Sequence, residues 1–161
     1  MFKVGDRAYY PAQGVGVVES IEAREFGGQS NKFYILRIID NDMTIMVPVN
    51  NANQVGLRTL ISKDKVASIY NVLGEKQGCA QAIPSWSRRQ RAYNEKIKTG
   101  NPVEVAEVLR ELYLIREDKE LSYGEKKVLE LARRLLVKEL ALAEGIGEDD
   151  VHQRLEKIVL N

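Results

Sequence analysis

Apolar residues follow two grammars along this chain. Through residue 58, Val, Ile, Tyr and Phe come in short runs that alternate with polar positions. Arg7–Tyr10, Gly16–Glu25, Lys32–Ile39 and Thr44–Val49 are predicted strands on that pattern. Pro11-Ala12-Gln13-Gly14, Gly27-Gly28-Gln29-Ser30 and Asp40-Asn41-Asp42 are turn material between them. Short strands joined by tight turns predict a small antiparallel barrel, and Asn50–Arg58 an irregular exit.

From residue 59 the spacing becomes helical, with legible ends. Ser62 and Ser85 are predicted caps for two helices, the first closed by Gly74 and the second ending before Gly100. Asn101-Pro102-Val103-Glu104 and the capping box Ser122-Tyr123-Gly124-Glu125 open two more. Gly147-Glu148-Asp149-Asp150 starts the last, with acids at its positive end. Val105, Val108, Leu112 and Ile115, and then Leu129, Ala132, Leu136, Leu140 and Ala143, are core stripes. Glu75–Ile83 lacks a period and is expected to be a loop. The fold class is α+β: a β domain over 1–58 and a compact helical domain of about five helices over 59–161.

Composition narrows the function mostly by what it withholds. No apolar run approaches the ~18 residues of a membrane span, and Met1–Asp6 has no leader pattern. The sole cysteine, Cys79, forms no internal disulfide, which fits a reducing cytoplasm. One Cys and one His, Cys79 and His152, do not make an ordinary zinc site, and His152 among polar residues is expected at the surface. Gly14-Val15-Gly16 lacks the third glycine of a dinucleotide loop. Glu104, Glu107 and Glu111 fall on the outer face of a helix. No metal, cofactor or catalytic residue is therefore expected.

The net charge of +1 is neutral for a DNA-binding protein, but its distribution is uneven. From Pro84 to Thr99, Arg88, Arg89, Arg91, Lys96 and Lys98 face one acid, Glu95, a local charge of +4. Trp86 stands at the start of that helix, where free N–H groups favour phosphate. Arginines beside an apolar wedge suit a distorted duplex. The alternative is that Trp86 begins a core stripe with Tyr93 and Ile97, beneath a solvated arginine face. The second constellation is Thr44-Ile45-Met46-Val47-Pro48-Val49. Pro48 donates no ladder bond and marks an edge, while Met46 adapts well at interfaces. Such an edge either receives a partner strand or merely resists aggregation.

Phe2-Lys3-Val4-Gly5-Asp6, Tyr10-Pro11-Ala12-Gln13-Gly14-Val15-Gly16 and Met46-Val47-Pro48-Val49-Asn50 resemble the opening and a later strand of the CarD/CdnL family. They are also similar to the polymerase-interaction module of the transcription–repair coupling factor. Trp86-Ser87-Arg88-Arg89, Ala106–Leu112 and Leu121–Lys127 resemble the CarD/CdnL helical domain. The resemblance implies a Tudor-like barrel that binds the RNA polymerase β subunit, with Arg24, Met46 and Pro48 at the contact. It also implies a helical domain on promoter DNA at the upstream edge of the −10 element, stabilising the open complex, notably at ribosomal RNA promoters. On that pattern Trp86 is a minor-groove wedge at the upstream fork. Arg88, Arg89 and Arg91 hold phosphates, within a basic surface extended by Lys96, Lys98, Lys126 and Lys127. Gln90 and Met46 depart from the family pattern. With no basic tail after Asn161, the chain resembles the short CdnL type. A monomeric, non-enzymatic cytoplasmic regulator is expected. The other readings are a polymerase adaptor without DNA contact and an enzyme whose carboxylate site leaves no motif.

Overall fold

A computed structural model of the chain describes residues 1–75 and 85–160. The expected loop after Glu75, with Cys79 and Pro84, lies outside them. The chain divides into two compact units, Met1–Leu60 and Ile61–Asn161.

The first unit is a curled four-stranded antiparallel sheet, β1 (Arg7–Tyr10), β2 (Gly14–Phe26), β3 (Gln29–Ile38) and β4 (Thr44–Pro48), paired in chain order. β2 and β3 run longer than their patterns because Gly27 and Gly28, at φ 58° and 84°, form a two-residue turn directly between Phe26 and Gln29. A bulge between Val18 and Ser20 helps the sheet curl. Its concave side packs Ala8, Val18, Tyr34, Leu36, Ile38 and Val47 against Ala52 and Leu57. The exit is more ordered than expected: Val49–Asn51 is a 3-10 turn, and Arg58 returns to β1, where it exchanges both backbone hydrogen bonds with Tyr9 (2.7 and 3.1 Å). That covers the edge at β1, whereas β4 pairs only with β3 among the described strands.

Gly16 shows how tightly the sheet closes. A Cβ there would lie 2.8 Å from Leu36 Cγ and 3.0 Å from the Arg37 carbonyl. Gly16→Ala is expected to cost about 1–3 kcal/mol, the usual range for overpacking. A urea melt of the variant checks this, and an unchanged midpoint would contradict the packing described.

The second unit holds α1 (Lys63–Gly74), α2 (Trp86–Lys98), α3 (Pro102–Asp118), α4 (Tyr123–Glu144) and α5 (Glu148–Leu160). The stripes of α3 and α4 are buried as the spacing predicts, except that Ala143 is only half-buried. Asn101 caps α3 by accepting from Val103 N–H (2.9 Å), and the Ser122–Glu125 box closes in both directions. Two caps differ from expectation. Neither the Ser62 nor the Ser85 hydroxyl caps a backbone N–H of its helix; their backbone carbonyls accept first-turn N–H bonds instead. Gly74 is the last residue of α1, not the residue beyond it. The Arg110 guanidinium donates to the Val72 carbonyl (2.8 Å), so this helix end is satisfied without a left-handed glycine.

Candidate nucleic-acid interface

α2 is amphipathic in an unusual way. Tyr93 and Ile97 are buried, Trp86 is half-buried, and Arg88, Gln90, Arg91 and Lys98 are exposed. Arg88, Arg91 and Glu95 line one shallow depression with Ser87 and Ala92. A second, with Ser87, Gln90 and Asn94, continues along the helix to Lys98. The helix thus presents a basic ridge with polar side chains between its cations.

Trp86 sits where α2 and α4 begin side by side. Its indole lies against Gly124, since a Cβ at that position would be 3.0 Å from Cζ2 and 3.1 Å from Nε1. The Tyr93 ring is 6.2 Å away, tilted by 55°. Trp86 is therefore neither a fully buried core residue nor a free wedge: one side is packed, and part of it stays in contact with solvent.

Arg89 departs from the expected phosphate contacts. It is only 7% exposed and donates to Glu125 Oε2 at 3.0 Å. Its position on the inner face of α2, one turn after Trp86, turns it toward α4. Glu125 is also buried, and its other oxygen accepts the Ser122 N–H at 2.9 Å. Burial opposes charge on both groups. For Arg89, the neighbouring Tyr93 hydroxyl and the bond to the Glu125 carboxylate outweigh it and raise the pKa. For Glu125, bonds from the Ser122 backbone and Arg89 outweigh it and lower the pKa. Burial drives the Tyr93 hydroxyl up to about 12, so it stays neutral at physiological pH.

The remaining expected cations lie at the surface. Lys96 pairs with Glu107 and Lys126 with Glu120, each at 3.7 Å. Such exposed pairs are weak and exchange readily. Lys127 Nζ stands 4.7 Å from the Tyr123 ring centre. Tyr123 is 74% exposed, a large aromatic at the same helix start as Gly124, and sequence reasoning missed it. The available signal was its place inside the capping box, which fixes it at the first helical position, outside the core stripe. Two buried carboxylates were also missed: Glu125, and Glu139, which accepts the Ile61 N–H at 3.0 Å.

In the β unit, Met46 is exposed on β4, with Val47 buried beside it and Pro48 half-buried. Ile38 N–H donates to the Met43 carbonyl (2.8 Å), and antiparallel alternation from that pair turns the backbone groups of Thr44 and Met46 outward. Arg24 lies near the far end of β2 and pairs with Glu22 at 2.8 Å. His152 is 37% exposed beside Glu156. No described helix is long and apolar enough to cross a membrane.

Comparison with known proteins accounts for both units. Residues 2–61 match the CarD-like/TRCF RID domain, and residues 68–156 match the CarD C-terminal domain. A Bacillus subtilis (strain 168) protein named "Putative transcription factor YdeB" is 32% identical over 151 residues, covering 94% of this chain and 97% of its own. Among solved structures, the N-terminal part of Myxococcus xanthus CdnL is 54% identical over 39% of this chain and 89% of its own, with a TM-score of 0.34. The 72-residue N-terminal domain of Myxococcus xanthus CarD is 36% identical over 37% of this chain and 79% of its own, with a TM-score of 0.33. With a family model over more than half its length and a relative spanning nearly all of it, the chain belongs to the CarD family of transcription factors.

Proposed function

We propose that this protein stabilises open promoter complexes by holding RNA polymerase with its first unit and promoter DNA with its second. The observation that carries the DNA half is the shared start of α2 and α4. There a half-buried Trp86 and an exposed Tyr123 stand among Arg88, Arg91 and Lys127. Arginine and lysine neutralise phosphates, and an aromatic face stacks on or wedges against an unstacked base. Trp86 enters the minor groove at the upstream fork of the bubble, near the −10 element. Arg88, Arg91 and Lys98 hold backbone phosphates, with Lys96, Lys126 and Lys127 at the margin. Arg89 is not among them, since its charge is spent on Glu125.

The β unit docks on the polymerase β subunit through the open edge of β4, with Met46, Pro48 and Arg24 at the contact. Each contact alone is modest. Tethering one raises the effective concentration of the other, commonly into the mM range, so a near-neutral monomer can act on DNA delivered by polymerase. Met46→Asp is expected to weaken polymerase binding at least tenfold while leaving the melting temperature within a few degrees, because position 46 already faces solvent. A pull-down on the β subunit measures it. Undiminished capture by the variant would remove β4 from the interface.

A further inference from the structure

The interface described above contains a small mechanical assembly behind Trp86. Arg89 lies one turn along α2, with its guanidinium carbon 5.2 Å from the Trp86 ring centre. It reaches Glu125, the third residue of α4, and Glu125 is itself fixed by the reciprocal capping box with Ser122. Gly124 lies between Tyr123 and Glu125, and the indole occupies the space its side chain would fill. Arg89 and Gly124 thus meet the indole along its packed side, and Glu125 holds Arg89 in place.

We propose that Arg89, Glu125 and Gly124 are positioning residues that hold the Trp86 indole in one orientation for its contact with DNA. The buried ion pair ties the first turn of α2 to the first turn of α4. The absent Cβ at Gly124 then lets the Nε1–Cζ2 edge of the ring approach the α4 backbone, and the Arg89 guanidinium borders it. A side chain held in its working orientation by its neighbours loses less entropy on binding than one that must be ordered there. This deepens the reading above and rests on Trp86 touching DNA.

Trp86 is the sole tryptophan of the chain, so fluorescence excited beyond the absorption of its tyrosines reports on it alone. Gly124→Ala separates positioning from stability. The added methyl displaces the indole by a few tenths of an ångström. Helix propensity at the same site improves, so the variant is expected to melt within a few degrees of the wild type. Its emission maximum and acrylamide quenching are expected to change, and time-resolved anisotropy to show a larger fast component from local indole motion. Open-complex lifetime on a ribosomal promoter is expected to fall about 2–10-fold, on the scale of ordering one side chain. Arg89→Lys keeps the charge but loses the planar fork and is expected to give an intermediate signature; Arg89→Met is expected to give the full one.

Unchanged fluorescence in both Gly124→Ala and Arg89→Met would overturn the proposal. So would altered fluorescence with a full lifetime, provided Trp86→Ala shortens that lifetime. If Trp86→Ala leaves the lifetime intact, it is the DNA-contact reading that fails, and the fluorescence arm alone then decides whether these residues fix the indole.

Discussion

Glu125→Ala is expected to destabilise the helical unit by about 3–5 kcal/mol, the cost of removing one partner of a buried ion pair. Arg89 is nearly out of reach of water, and its guanidinium would lose the carboxylate that offsets its desolvation. The same change removes half of the capping box, adding a smaller loss at the start of α4. Replacing both partners with apolar residues of similar volume, as in Arg89→Met with Glu125→Leu, is expected to recover most of the stability, because neither charge of the pair then remains buried. Calorimetric melting of the three proteins checks this. If the double variant melted no higher than Glu125→Ala, the loss would belong to packing and not to the stranded charge.

A pH dependence follows from the same pair. The folded-state pKa of Glu125 lies below its ordinary value. Its contribution to stability is therefore complete at neutral pH and fades as the pH falls through the carboxylate range. Protonation removes the carboxylate charge that faces Arg89, so acid is expected to lower the melting temperature of the wild type more steeply than that of the double variant.

Much of the architecture was legible because periodicity and punctuation agreed. β1 needed only Arg7–Tyr10 between polar flanks. The α3 and α4 starts were declared by Asn101-Pro102 and by Ser122 with Glu125. Strand ends were less legible, since a tight Gly27-Gly28 turn lets β3 begin in the polar Gln29-Ser30-Asn31, which carries no alternation. Ser62 precedes α1 as read, and only its C-terminal end differs, by one residue: Arg110, 38 residues from Val72, satisfies a carbonyl that a terminal glycine motif would have served.

The candidate site was more legible in its ingredients than in its orientation. The basic run from Arg88 to Lys98 is plain in the sequence, yet Arg88 and Arg89 differ completely in environment. One step along a helix turns a side chain by about 100°, and Arg89, not Arg88, falls on the Trp86–Tyr93–Ile97 face, a signal the spacing carried. Gly124 has no meaning until the indole is seen above it. Tyr123 would have been found by asking which apolar residues the core stripes leave unused.

Trp86→Ala is expected to produce the largest functional effect. A fully buried tryptophan truncated to alanine costs about 3–5 kcal/mol. Because Trp86 is half-buried against Gly124 and Tyr93, its stability loss is expected to fall below that range, leaving the variant folded. The β4 edge is untouched, so polymerase binding should persist. On the proposed function, the variant is expected to lose a contact that favours the melted promoter over the closed one, and only such a difference shifts the equilibrium. A coupling of about 1.4 kcal/mol corresponds to a tenfold change in the open-complex constant. Arg88→Ala and Arg91→Ala are expected to show milder defects relieved at low salt, as losses of phosphate charge should be. An adaptor without DNA contact predicts instead that all three variants act like the wild type.

The most direct measurement is the lifetime of competitor-challenged open complexes on a ribosomal RNA promoter, with saturating wild-type protein, with Trp86→Ala at equal polymerase occupancy, and with neither. The account predicts a lifetime about tenfold longer with the wild type than without it, and one close to the protein-free value with Trp86→Ala. A folded, polymerase-bound Trp86→Ala protein that prolonged the complex as fully as the wild type would contradict it.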